Sequence, residues 1–333
     1  AENTNAIYMP SGNLFVYNDA TVKGLTGIYA KSGNVQIKGA KIYGTGEAKD
    51  YSYYGNGGIP TGDALVLDSC GYPNGAPTVN YDGAENAYFE STNAKPIGSY
   101  ATEGNTKVTG FVDKGTFNKA IDKDLLADGY VCVYNGENSY GVATTENCVA
   151  KVGDIYYATL ADAIAVAQNG ATVVLVKDVD TPAVTYVINK DLTIDLNGRT
   201  VTGSGYDGVF QITGEGAKVL IKNGDVVAVE QKGSAGTYAM AIWACAADCE
   251  VTLEDLDVSQ KITSVNDPQM DMIYTSAGTI IINSGNFVSG TPEWTLNCND
   301  TSYKNGTAKI IVKGGTFVGF DPANNKAEGK GTN

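Results

Sequence analysis

Short segments in which apolar and polar residues alternate recur along the chain. Residues 5–13 (NAIYMPSGN) return 21 residues later as residues 26–34 (TGIYAKSGN). Each copy leads into an alternating strand, and a third copy at 64–67 (ALVL) follows an insertion over residues 45–61. Alternation with a period of two predicts β-strands, and a fixed interval of this size is typical of stacked repeats.

A related unit repeats in the second half of the chain. Its copies are LTIDLNGRTV at 192–201, AKVLIKNGDV at 217–226, VTLEDLDV at 251–258, GTIIINSGNF at 278–287 and AKIIVKGGTF at 308–317. The last apolar residues of these copies are separated by 25, 32, 29 and 30 residues. We therefore expect one interior stack of Val201, Val226, Val258, Phe287 and Phe317. We expect a facing stack of Ile194, Leu220 and Ile281.

These repeats predict an all-β fold, a right-handed parallel β-helix or solenoid. In such a fold each rung of strands pairs in parallel with the next, and uneven spacing is absorbed by loops. One segment breaks the β pattern: residues 159–168 (TLADAIAVAQ) have an N-terminal cap in Thr159, with Asp162 three residues later. Leu160, Ala163 and Ile164 form an apolar stripe, so we expect a short helix that covers the first rung of a ladder.

The domain organisation follows from these elements. We expect a first ladder over residues 1–120 and a β-hairpin over 121–147 that turns at Asn135–Gly136. A second ladder, over 148–333, then begins with the lid helix at about 159–168.

Composition excludes several classes of function. The net charge of −14 argues against nucleic acid as a partner, and the absence of an apolar run of 18 residues argues against membrane insertion. The chain has no His and a single Arg, Arg199. Histidine-based acid/base chemistry, Ser-His-Asp triads and histidine metal sites are therefore ruled out.

The six cysteines show no Cys-x-x-Cys spacing, so we expect no metal and no cofactor. Cys245 and Cys249 flank a three-residue turn and are close enough in sequence for a local disulfide. The alternative is that the cysteines are buried free thiols that pack as small apolar side chains.

One pair of carboxylates deserves comparison with a glycosidase. Asp225 and Asp257 occupy the same ladder position on adjacent rungs, with Thr200, Asn286 and Thr316 in the same column. Stacked carboxyl groups about 5 Å apart match a retaining glycosidase. Asn and Thr neighbours instead favour a polar ladder that satisfies turn backbone groups, and Arg199 is best explained as a turn residue. We predict no catalytic residue.

Aromatic residues offer a different kind of site. Tyr51, Tyr53 and Tyr54 lie inside the 45–61 insertion, and Trp294 lies between two rungs. Aromatic rings on loops can contact sugars or protein surfaces, and their alternative role is to fold back over the ladder. These four residues are the candidate binding residues.

Several segments resemble large surface proteins of gut anaerobic Gram-positive bacteria. They are VAKVGDIYYATLADAI at 149–164, DLNGRT at 195–200, TGDALVLDSCGYP at 61–73, LADGY at 126–130 and the GTF turns at 115–117 and 315–317. The resemblance implies secretion, a cell-surface location and tandem β-helix modules. It implies no catalytic residues.

Together these features favour a non-enzymatic extracellular scaffold at the cell surface: an adhesin, or a filament or fibre module, that presents loops. The alternatives are a carbohydrate-active β-helix enzyme (a polysaccharide lyase or glycoside hydrolase) and a phage tail-fibre module. Expected partners are host or bacterial glycans and a second copy in a head-to-tail contact. That contact would order residues 1–10 and 320–333.

Overall fold

The computed structural model describes residues 4–80, 87–233, 236–264 and 270–325. Parts of both segments assigned to a head-to-tail contact, residues 1–3 and 326–333, lie outside these ranges. The described chain is mostly β, as the sequence predicts, with few helical residues. It divides into two compact units, Ala1–Asn147 with Asp154–Tyr156, and Cys148–Gly153 with Tyr157–Asn333.

The first unit is built from short strands that alternate among three sheets. The strands are β1 (Asn5–Met9), β2 (Asn13–Tyr17), β3 (Thr21–Gly24), β4 (Thr26–Ala30), β5 (Asn34–Lys38), β6 (Lys41–Gly44), β7 (Leu65–Ser69), β8 (Thr78–Asn80), β9 (Tyr88–Ser91), β10 (Ile97–Ala101), β11 (Thr116–Phe117), β12 (Val131–Gly136) and β13 (Ser139–Ala143). Parallel pairing joins β1-β4-β7-β10, β2-β5-β8 and β3-β6-β9-β11. Single-turn 3₁₀ helices occur at Lys123–Leu125 and Thr145–Asn147.

The register of these sheets follows the sequence repeat. Ile7 lies opposite Ile28, at the 21-residue interval, and Ile28 lies opposite Leu65. Ile28 and Leu65 are fully buried. The third copy therefore joins the same column although the 45–61 insertion precedes it, because the insertion leaves the ladder as a loop.

The expected β-hairpin is present as β12 and β13, and β13 pairs antiparallel with β11. Its turn differs from the sequence prediction. Glu137 and Asn138, not Asn135 and Gly136, are the central residues, and both have positive φ, 49° and 59°. Positive φ at both central positions is the geometry that matches the twist of two paired strands.

The rest of the chain contains three long strands, of 12 or 13 residues, among short ones. The strands are β14 (Ala150–Val152), β15 (Ile155–Tyr157), β16 (Ala171–Leu175), β17 (Val179–Asp180), β18 (Tyr186–Ile188), β19 (Leu192–Ser204), β20 (Phe210–Ile212), β21 (Lys218–Val229), β22 (Gln231–Lys232), β23 (Thr237–Tyr238), β24 (Ile242–Ala244), β25 (Glu250–Lys261), β26 (Ile273–Thr275), β27 (Gly278–Ile282), β28 (Asn286–Val288), β29 (Leu296–Cys298), β30 (Ala308–Val312) and β31 (Thr316–Phe317). The helices are α1 (Leu160–Val166), α2 (Asp300–Lys304) and 3₁₀ turns at Pro292–Trp294 and Pro322–Asn324.

Pairing in the second unit is mainly parallel. One row runs β16-β19-β21-β25-β27-β30, and the C-terminal halves of β19, β21 and β25 continue it to β17 on one side and to β28-β31 on the other. A second row is β18-β20-β24-β26-β29. Antiparallel pairs occur between β14 and β16 and between β22 and β23, so the sheets are mixed.

The expected interior stack is confirmed in its register. Val201, Val226, Val258, Phe287 and Phe317 are successive partners across β19, β21, β25, β28 and β31. The first four are buried, and the rings of Phe287 and Phe317 stack with centroids 4.8 Å apart. Alternate residues of these strands therefore do form the core.

The expected facing stack is right only at Ile194. Its partners are Ile221, Leu253 and Ile282, which are all buried. Leu220 and Ile281, one position earlier, point to the outer face and are partly exposed. The error arose because Val219–Ile221 and Ile280–Ile282 are apolar at every position, so the alternation carries no polar marker.

The helix lies where the sequence predicts it. The Thr159 side chain accepts a hydrogen bond from the backbone N–H of Asp162, and Leu160, Ala163 and Ile164 are buried. The helix α1 contacts β14, β16 and β18. The Lys190 ammonium donates to the carbonyls of Ala165 and Ala167 at the helix C-terminus, at 2.9 and 2.8 Å. This geometry satisfies carbonyls that have no partner inside the helix.

Candidate functional site

The loop at residues 45–61, between β6 and β7, carries the main group of candidate binding residues. Its Tyr53 and Tyr54 side chains are 52% and 63% exposed, whereas Tyr51 is partly buried. The segment 47–50 is also exposed. A loop of 17 residues without strands is long for a compact domain, which is a common property of functional loops.

A buried lysine forms hydrogen bonds with the backbone at the middle of this loop. The side chain of Lys31, which follows β4, is fully buried. Its ammonium donates to the carbonyl of Gly55 at 2.6 Å and to that of Tyr54 at 3.3 Å. It also lies 4.7 Å from the centre of the Tyr53 ring. Backbone carbonyls and an aromatic face both stabilise an ammonium ion, so the charge ties the loop to the ladder.

The counter-charge is Asp68 on β7, whose side chain is also fully buried. Its carboxylate lies 3.5 Å from the Lys31 ammonium and accepts hydrogen bonds from the hydroxyls of Tyr29, at 3.0 Å, and Tyr51, at 2.6 Å. Burial and the Asp68 carboxylate raise the pKa of both tyrosines above the ordinary value. Both hydroxyls therefore stay protonated and remain donors to Asp68.

A second buried carboxylate lies at the other end of the loop. Asp63 accepts hydrogen bonds from the Tyr100 hydroxyl at 2.7 Å, the Thr61 hydroxyl at 2.8 Å and the Lys95 backbone N–H at 2.9 Å. Burial raises the pKa of Asp63, and these hydrogen bonds oppose that shift. Gly98 makes room for this group, because a β-carbon there would lie 2.2 Å from an Asp63 carboxylate oxygen.

The two carboxylates fix a pair of stacked rings. Tyr51 and Tyr100 lie with centroids 4.9 Å apart and planes 5° from parallel, and their hydroxyls bond to Asp68 and Asp63 respectively. Both rings line a cleft of about 540 Å³ beside the loop. Its other lining residues are Ala48, Lys49, Asp50, Thr61, Asp63, Asn93, Ala94 and Lys95. The cleft is therefore lined both by residues of the loop and by residues that follow it in the chain.

Sequence reasoning identified the tyrosines of this site but not Lys31, Asp63, Asp68 or Tyr100. The sequence does carry a signal for Asp68, because this charged residue directly follows the apolar run Leu65-Val-Leu. A charged residue at that position indicates a buried polar contact. Its partner Lys31 is 37 positions away, and alternation alone does not pair residues across such an interval.

Trp294 lies in the second unit, in the 3₁₀ turn that precedes β29. Its side chain is buried and only 8% exposed, so it offers little surface to a ligand. Trp294 therefore fits the alternative considered for these aromatic residues, in which the ring packs over the strands and does not contact a ligand.

The Asp225 and Asp257 carboxylates accept hydrogen bonds from neighbouring strands. Asp225 and Asp257 are register partners, as are Thr200 and Asp225. Asp225 accepts from the Thr200 hydroxyl at 3.3 Å, and Asp257 accepts from the Asn286 backbone N–H at 3.0 Å. Asp178 continues the pattern by accepting from the Thr200 backbone N–H at 3.0 Å. Arg199, in the turn beside this column, lies opposite Gly224.

All six cysteines are free thiols, so Cys245 and Cys249 follow the alternative of unpaired thiols and not that of a local disulfide. The Cys245 thiol donates to the carbonyl of Ile212 and the Cys249 thiol to that of Ala277, so each is directed to a different carbonyl. Burial raises the pKa of both thiols. A raised pKa keeps a thiol protonated and unreactive.

Within the described ranges, no group of three or more Cys, Asp or Glu side chains is arranged to hold a metal ion. In the same ranges, no helix is long and apolar enough to cross a membrane. No family model matches the chain, and neither the curated proteins nor the solved structures contain a match.

Proposed function

We propose that this chain is a non-enzymatic scaffold at the cell surface, a right-handed parallel β-helix that presents its 45–61 loop to glycans. The observation that carries the proposal is the Lys31 ammonium, fully buried beneath the loop while Tyr53 and Tyr54 remain exposed above it. A loop held in one conformation loses less entropy when it binds, and tyrosine provides a large contact area with few rotatable bonds.

The parallel registers support the solenoid in both units. In the first unit, strands of one sheet are separated in sequence by strands of the other two sheets. In the second unit, strands of the two parallel rows alternate along the chain, and in both units the chain returns to the same column. Each rung then covers the backbone edge of its predecessor. The resemblance to surface proteins of gut Gram-positive bacteria supports the extracellular location.

The ladder carboxylates favour a scaffold over a hydrolase. Asp257 accepts a backbone N–H from the next rung, and Asp225 accepts a hydroxyl from the preceding one. A catalytic pair needs one carboxyl group free for the substrate and another with a different protonation state. Asp225 and Asp257 are instead each engaged by a group of a neighbouring strand.

The test combines turnover and binding of pectins, mucin glycans and arabinoxylans by the intact chain. We expect no turnover. We expect any glycan binding to survive Asp225→Asn and Asp257→Asn, and to be lost in a Tyr53→Ser/Tyr54→Ser variant. The matched control is Phe15→Ser, another exposed aromatic residue of the first unit, which should leave binding unchanged.

Turnover that disappears in both Asp variants, while circular dichroism remains that of the wild type, would overturn the proposal in favour of an enzyme. Binding that is insensitive to the two loop tyrosines would show that another surface contacts the glycan.

A further inference from the structure

The cleft beside the loop has a rigid floor. Asp63 and Thr61 are almost completely buried, and the Tyr51 and Tyr100 rings are stacked and tied by their hydroxyls to two different carboxylates. Gly98 is needed below them, since any larger side chain would displace Asp63 or Tyr100. The aromatic surface of the cleft is therefore fixed before a ligand arrives, which lowers the entropic cost of binding.

The rim of the cleft carries one cation and one anion that are available to a ligand. Lys95 is bound to Asp122 at 2.8 Å, outside the cleft. Lys49 and Asp50 are both exposed, and among the described residues neither side chain has a hydrogen-bond or ion-pair partner. The amide of Asn93, which also lines the cleft, donates to the carbonyl of Gly46 at 3.2 Å. Lys49 and Asp50, which are adjacent in sequence, thus give the cleft one strong donor and one strong acceptor of opposite charge.

This combination fits a polyhydroxylated ring without a charge. A sugar hydroxyl both donates and accepts, so neighbouring hydroxyls can donate to the Asp50 carboxylate and accept from the Lys49 ammonium. The C–H face of the ring can pack on aromatic surface. The volume of about 540 Å³ lies within the range of roughly 300–1,000 Å³ that is usual for small-molecule sites. An anionic sugar would gain at Lys49 but would face Asp50 as well.

We propose that this cleft is a binding subsite for one neutral sugar ring of an oligosaccharide, with Lys49 and Asp50 as the polar contacts and Tyr51 and Tyr100 as the aromatic surface. The inference rests on the proposed function, because it assumes that the loop faces glycans. It adds the class of sugar and a second contact, in the cleft, to the contact that the exposed loop tyrosines make.

The experiment uses the intact chain on a printed array of neutral oligosaccharides and of their sialylated and uronate-containing counterparts, followed by calorimetric titration of the bound oligosaccharides. Lys49→Ala and Asp50→Ala are the test variants; both side chains are exposed, so the fold should tolerate the changes. Lys41→Ala and Glu47→Ala are the matched controls, exposed residues of the same charges that do not line the cleft.

We expect binding of neutral oligosaccharides, with each test variant at least about tenfold weaker and both controls unchanged. A preference for the sialylated or uronate-containing set would overturn the inference, as would an array with no bound oligosaccharide. Binding that Lys49→Ala and Asp50→Ala leave intact but Tyr53→Ser/Tyr54→Ser abolishes would overturn the cleft and leave the proposed function standing. Cleavage of the bound oligosaccharide would overturn the proposal of a non-enzymatic scaffold, whereas the inference that the cleft binds a neutral sugar would stand.

Discussion

At the scale of single residues, the first unit depends on charges that lie inside it. The Lys31 and Asp68 side chains have no solvent exposure, and each is surrounded by polar partners: two carbonyls for the ammonium, two tyrosine hydroxyls for the carboxylate. A buried ion pair of this kind adds little net stability compared with apolar residues, but losing one partner strands the other charge. The pair therefore specifies the position of the loop more than it strengthens the core.

Lys31→Met should lower the free energy of unfolding by about 3–5 kcal/mol, because Asp68 would remain buried without its cation. It should also speed amide hydrogen exchange at Gly57, whose N–H donates to the Tyr54 carbonyl in the part of the loop that Lys31 holds. Lys123→Met is the control: its pair with Asp154 is exposed and should contribute less than about 1 kcal/mol. Denaturant titration and hydrogen exchange provide the measurements. Equal stability of the two variants, with unchanged exchange in the loop, would contradict the anchoring role of Lys31.

Residue patterns gave only part of the candidate site. The three tyrosines of the insertion are visible in the sequence, since aromatic residues in a long loop are costly to expose without a role. Their supports are not visible, because Asp63 and Asp68 acquire their partners through parallel rungs that are distant in sequence. Leu220 shows a different limit. It is apolar but lies on the outer face, and only its neighbours on adjacent rungs reveal that orientation.

At the scale of elements, antiparallel strands lie at the edges of parallel rows in both units. The hairpin β12–β13 pairs antiparallel with β11, and β14 pairs antiparallel with β16, so strands of opposite direction cover two edges of parallel rows. Covered edges do not template further strand pairing. The sequence predicted the hairpin and helix from local signals, a turn dipeptide and an N-cap, which do not depend on distant contacts. It missed the turn position because Gly136 is a strong turn signal, whereas Glu137 is a weak one.

A Glu137→Asn/Asn138→Gly variant tests the position of that turn. Both residues have positive φ, which is unfavourable for glutamate, so Asn-Gly should raise the free energy of unfolding by up to about 1 kcal/mol. The control is Asp128→Asn, an exposed change of similar charge outside the hairpin turn, which should be close to neutral. Denaturant titration compares the two. If the turn variant is less stable than the wild type, the central residues of the turn are Asn135 and Gly136, as the sequence predicts.

At the scale of the whole molecule, each unit pairs its strands in mainly parallel columns, and apolar residues of these columns are buried. Period-two alternation and the repeat intervals were sufficient to predict the all-β class and the Val201-to-Phe317 register, because those features are local and recur on every rung. They were not sufficient for the loop, whose conformation depends on one lysine and two carboxylates. Function in this proposal belongs to the irregular segment, and the repeats supply its support.

The alternation of inner and outer positions on a single strand is tested by placing the same charge at neighbouring residues. Phe287 is fully buried, and its ring stacks on that of Phe317. Val288, the next residue of the same strand, is 39% exposed on the outer face. Phe287→Asp should cost several kcal/mol, because it buries an unpaired carboxylate and opens a cavity, whereas Val288→Asp should cost less than about 1 kcal/mol. Denaturant unfolding of the two variants and the wild type gives both values. Equal costs, or a larger cost at Val288, would contradict the stacked-rung core on which the scaffold depends.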